Sequence, residues 1–107
     1  MPEALDIPDD LIALERARVA AWDELITFST RVAAERREQF PDPEQDTERR
    51  RWPPELADVL AGLRAAYYDV AATAVRHHPV MERALAERCH YATELALRAA
   101  AKEPAPA

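Results

Sequence analysis

The sequence predicts an all-α protein: an antiparallel three-helix bundle with a long first helix and a Pro-rich connection between helices 1 and 2. Three observations carry this expectation. The chain has one glycine and 23 alanines in 107 residues, and most of its charge is arginine and glutamate. Such a composition favours helix. Apolar residues recur at helical spacing over three long stretches. The internal prolines, Pro41, Pro43, Pro53, Pro54 and Pro79, fall between those stretches, where they break helix.

Helix 1 is expected over residues 8–39. Pro8 suits a first helical position, and Asp9 and Asp10 place negative charge on the first turn. Arg36 and Arg37 suit its C-terminus. Apolar residues from Leu11 to Val32 cover roughly half the circumference, wider than the stripe that docks on one neighbour. Ile12, Val19 and Ile26 lie along one margin of this arc, and Leu14, Phe28 and Val32 along the other. Thr27 to Thr30 (TFST) is its weakest local stretch and a candidate bend.

FPDPEQDTERRRWPP, Phe40 to Pro54, is the connection. Its middle, Pro43 to Arg51, can form one or two turns capped by Asp42. Helix 2, residues 54–78, carries a narrow stripe of Leu56, Leu60, Leu63, Tyr67, Val70 and Ala74. Gly62 lies inside it, where it could permit close approach of a neighbour. Helix 3, residues 79–102, has Met81, Leu85, Ala92, Leu95, Ala96 and Ala99 on its face. A rival arrangement keeps helices 2 and 3 as one long kinked helix. Residues 1–102 read as a single domain, with a disordered tail at 103–107.

Only 21 residues are Leu, Ile, Val or Phe, so the core is thin for a domain of this size. Burial against a second copy would compensate. The net charge is −6, and all of the deficit lies in Met1 to Arg50, which has 13 acids against 7 bases. An acidic chain is poorly suited to a phosphate backbone, so nucleic acid is not the expected partner. One cysteine makes no internal disulfide. No apolar run reaches the length of a membrane span, and the N-terminus lacks the pattern of a signal peptide. The expected location is the cytoplasm.

RHHPVMERALAERCH, Arg76 to His90, gathers all three histidines and the cysteine. His78 and Cys89 are eleven residues apart, about 16 Å along a helix, too far to share an ion. Cys89 and His90 diverge by about 100° around a helix. The stretch therefore reads as a corner, with His77 and His78 in the last turn of helix 2 and Pro79 forcing the break. No metal site is expected.

Two arginines stand out more. Arg18 falls near the centre of the arc of helix 1, and Arg88 within the stripe of helix 3, at similar depth in a bundle. A buried arginine needs an acceptor, and Glu15 and the Tyr67 hydroxyl are the candidates. The pair could serve an internal network or grip an acidic group. No nucleophile with a base, no phosphate loop and no metal-binding helix motif is present. Neither catalytic residues nor a cofactor is expected.

DIPDDLIALERA, AAERREQFPDPE and RHHPVM resemble small uncharacterised helical proteins of high-GC, actinomycete-like bacteria and their mobile elements. The resemblance implies an accessory protein and brings no motif with a role. The function expected from the residues is non-enzymatic protein–protein interaction through helix faces. Trp22, Ile26, Phe28 and Val32 are the candidate contacts, and another protein or a second copy, as a homodimer, is the partner. The alternatives are a DNA-binding regulator using Arg49–Arg51, and an anion or small-molecule site near Arg18 and Arg88.

Overall fold

The computed structural model describes residues 3–104, and all regular structure among them is helical. Helix α1, Asp9–Gln39, begins after Pro8, whose extended backbone (φ −75°, ψ 157°) makes it the residue before the helix rather than its first. The amides of Leu11 and Ile12 bond to the Pro8 carbonyl. The TFST stretch stays helical, with the Ser29 hydroxyl donating to the Leu25 carbonyl. At the far end the Arg36 guanidinium lies 4.7 Å from the Phe40 ring centre and donates to the carbonyls of Glu48 and Arg51. One side chain thus folds the connection back onto the end of α1.

The connection forms the short turns its sequence suggests. Asp42 and Gln45 make a reciprocal capping box over a 3-10 turn, Pro43–Gln45, followed by α2, Asp46–Arg50. Trp52 then meets Phe28 edge-on, with ring centres 6.1 Å apart.

Next comes a rod made of α3 (Pro54–Ala65), a π-helical segment (Ala66–Ala71) and α4 (Ala72–Arg76). It returns along α1: Trp52, just before it, packs on Phe28, and Tyr67 lies against Arg18 and Trp22. The π segment corrects the expected stripe. One extra residue per turn rotates everything after it by about 100°. Val70 is therefore swung out to 66% exposed, while Val75 is buried. Gly62 has no neighbour within 4 Å of where a Cβ would stand, so it serves no close approach.

The rod ends at Arg76, and helices 2 and 3 are not one kinked helix. Nor do both histidines sit in its last turn. His78 is extended and caps the next helix, α5 (Pro79–Ala86). Its Nδ1 accepts the Val80 amide at 3.1 Å, so the proton is on Nε2, which donates to Asp10 at 2.9 Å. The corner is pinned to the start of α1.

In place of one third helix there are two, α5 and α6 (His90–Lys102). The break is a Schellman turn: the Cys89 amide bonds to the Ala84 carbonyl and the Arg88 amide to that of Leu85. Arg88 holds the left-handed position, φ 61°, that glycine usually fills. The turn shifts the inner face by one residue. Ala84, Thr93 and Leu97 are buried, whereas Leu85 and Leu95 are 64% and 47% exposed.

Leu11, Val75, Met81 and Leu97 form the core, with Ile7, Ile12, Leu14 and Val80 packed around it. It sits at the N-terminal end of α1. Beside it, the Leu5 amide bonds to the Thr93 hydroxyl. The rest of the expected tail, 105–107, lies outside the described residues. Among those described, no helix is long and apolar enough to cross a membrane.

Candidate functional site

Leu11, Arg18, Leu25 and Val32 are spaced by seven along α1. Three of them are at most 5% exposed. Arg18 is the polar member of this inner seam. Its Nε and Nη2 donate to both oxygens of Glu15, one turn back, at 2.5 and 2.7 Å, and its Nη1 donates to the Tyr67 hydroxyl at 3.0 Å. Glu15 is 3% exposed. These bonds to Glu15, with a smaller contribution from Tyr67, hold the guanidinium firmly cationic against the opposing effect of burial. Three of its five N–H groups are used. Tyr67 comes from the π segment and packs at 5.0 Å on Trp22 and at 4.8 Å on Tyr68.

Arg88 does not join this group. It is exposed in the turn between α5 and α6, because the break removes it from any helical stripe. The arginine of that region that stands with Arg18 is Arg98, on α6, and the two line the same two cavities. A continuous-helix reading places Arg98 away from the apolar face. Only the one-residue shift at the Schellman turn brings it to the cavities.

The larger cavity, about 730 Å³, is an open cleft with α1 as floor, α4 and α6 as walls and α5 across one end. Val75, Met81 and Leu97, all buried, form its apolar lining. The smaller, about 390 Å³, continues it toward Val19 and the end of α6. That end is fixed by Arg16, which donates to the carbonyls of Ala101 and Glu103.

The expected contact residues divide. Trp22 and Ile26 are exposed at 39% and 43%, alongside Val19 at 41%. Phe28 and Val32 are internal: Phe28 is half-buried under Trp52, and Val32 is 1% exposed in the part of α1 where α2 and α3 pack. Of the arginine run, Arg49 donates to the carbonyls of Phe40 and Asp42, and Arg50 pairs with Asp46 at 3.2 Å. His77 and His90 are exposed and Cys89 is buried. Among the described residues no three His, Cys, Asp or Glu side chains are grouped to hold a metal.

No protein-family model, curated protein or solved structure matches the chain.

Proposed function

We propose that this chain is a non-enzymatic interaction protein that binds through the face of α1 lying beyond the end of α6. The observation that carries this reading is where α6 stops. It covers one flank of α1 only as far as Arg16. Val19, Trp22 and Ile26 continue the same flank over the next turns and stay 41%, 39% and 43% exposed, with Tyr67 packed on one side of Trp22. Large aromatic and aliphatic side chains in a line on one helix are the usual material of an interface.

The shape of the chain supports it. The radius of gyration is 18.6 Å, where a compact domain of this length has about 13 Å. The accessible surface is 7770 Å², where a folded monomer of this mass exposes roughly 6,000 Å². The excess is ample for one side of a standard interface, about 800 Å².

A second copy is the partner this strip fits best. Trp22 lies near the midpoint between Val19 and Ile26. Two α1 helices crossing antiparallel about a two-fold axis would set Trp22 beside its counterpart and Val19 opposite Ile26, so one patch serves both chains. Light scattering at tens of micromolar tests this. A mass near twice 12.1 kDa, returning to the monomer value in Trp22→Glu, is the expected result. A wild-type monomer would remove the homodimer.

A further inference from the structure

The cleft above the Arg18 cluster has a charge distribution unlike the rest of the chain. Its two connected cavities are lined by five cations, Arg16, Arg18, Arg76, Arg98 and Lys102, against three carboxylates, Glu15, Glu82 and Glu94. A local excess of positive charge stands in a protein of net charge −6. The cations are not spread evenly. Four of the five meet at the junction and lower end, where Glu15 is the only carboxylate, and both of its oxygens are committed to Arg18. Arg98 reaches Glu94 only at 4.0 Å, and two N–H groups of Arg18 have no partner among the described residues. At the upper end Val75, Met81 and Leu97 form an apolar strip on the walls, bordered by Arg76, His77, Glu82, His90 and Glu94, and Leu85 stands 64% exposed on the rim.

A cleft with its arginines gathered at one end and an aliphatic strip toward the other suits a molecule with the same polarity. We propose that it binds a single-chain amphiphile of fatty-acid type, with its carboxylate at Arg18 and Arg98 and its hydrocarbon over Met81, Val75 and Leu97. The planar guanidinium fork matches a carboxylate better than a point charge does. Met81 is unbranched and adaptable, which suits a flexible chain. The volume, about 730 Å³, falls within the roughly 300–1,000 Å³ of small-ligand sites. Leu85, 64% exposed, supplies further apolar surface. Of the Trp22 strip only Val19 lines the cleft, at the smaller cavity; Trp22 and Ile26 do not, so Trp22→Glu alters self-association without touching the binding residues.

Titration calorimetry on the full chain tests the proposal, with dodecanoate, 1-dodecanol and dodecyltrimethylammonium, all below their micellar concentrations. Arg98 and Leu85 are both exposed, so Arg98→Glu and Leu85→Glu are expected to fold, which a matching circular dichroism spectrum checks. The expected result is saturable binding of one dodecanoate per chain, at least tenfold weaker in each variant. Dodecanol should bind more weakly and the cationic amphiphile more weakly still. Absence of saturable dodecanoate binding would overturn the proposal. So would equal affinity for the cationic amphiphile, or binding that survives Arg98→Glu and is lost in Trp22→Glu.

Discussion

Arg18 and Glu15 lie one turn apart on α1 and form a two-pronged ion pair within the inner seam of the helix, with the carboxylate 3% and the guanidinium side chain 24% exposed. Such a pair costs desolvation to form, and breaking it from one side costs more than replacing both members. Glu15→Gln should therefore destabilise the fold by about 1–3 kcal/mol, leaving Arg18 with weakened acceptors in a partly buried seam. The double change Glu15→Leu with Arg18→Met should recover most of that loss. Urea unfolding followed by circular dichroism measures both; equal losses in the single and double variants would contradict the argument.

The bond from His78 to Asp10 makes a pH-dependent prediction. Asp10 is held below its ordinary value of 3.8, first by the hydrogen bond His78 donates to it. A lowered carboxylate contributes stability that is present above its unfolded pKa and is lost as pH falls through the folded one. The gap in urea midpoint between wild type and Asp10→Ala should be fully present at about pH 5, above the unfolded pKa of the carboxylate. It should narrow below about pH 4 as the carboxylate is protonated.

Arg88 occupies a backbone conformation that costs an L-residue roughly 1 kcal/mol and costs glycine almost nothing. Arg88→Gly should raise stability by about that amount. Arg88 is exposed, so no packing is lost. Thermal unfolding should record a rise of several degrees for a chain of this length.

Gly62 offers the complementary case. It is exposed, lies within α3 and has no neighbour within 4 Å of an added Cβ. Gly62→Ala should stabilise by about 1 kcal/mol through helix propensity alone. A loss of stability would reveal a neighbour that the monomer lacks, and in a dimer it would locate α3 at the interface.

Self-association supplies the last prediction. Trp22 is 39% exposed and would be enclosed in the proposed dimer. Its fluorescence should blue-shift as protein concentration rises from nanomolar to tens of micromolar. Trp52, packed on Phe28 in either state, contributes a constant background, and Trp52→Phe isolates the signal.

The sequence by itself determined the all-helical class and the extent of α1, and it marked Pro79 as a break without deciding between separate helices and one kinked helix. Each of these depends on local chemistry: near absence of glycine, proline position, charge at helix ends. The association of Arg18, Glu15 and Tyr67 was also legible, because α1 and the following rod each keep a regular period up to those residues.

Tertiary structure decided everything downstream of two breaks in that period. The π segment at Ala66–Ala71 exchanged Val70 for Val75 in the core, and the turn at Arg88 exchanged Leu95 for Leu97 and brought Arg98, not Arg88, to the cleft. Neither break carries a local signal. The π segment contains no glycine or proline, and the left-handed turn position holds an arginine. A single inserted residue rotates all later side chains by about 100°. Distant contacts accompany each break: Tyr67 on Trp22 and Arg18, and Thr93 on the backbone of Leu5. Periodicity fixes which residues share a face within an unbroken helix, but it cannot place a break whose compensation lies elsewhere in the chain.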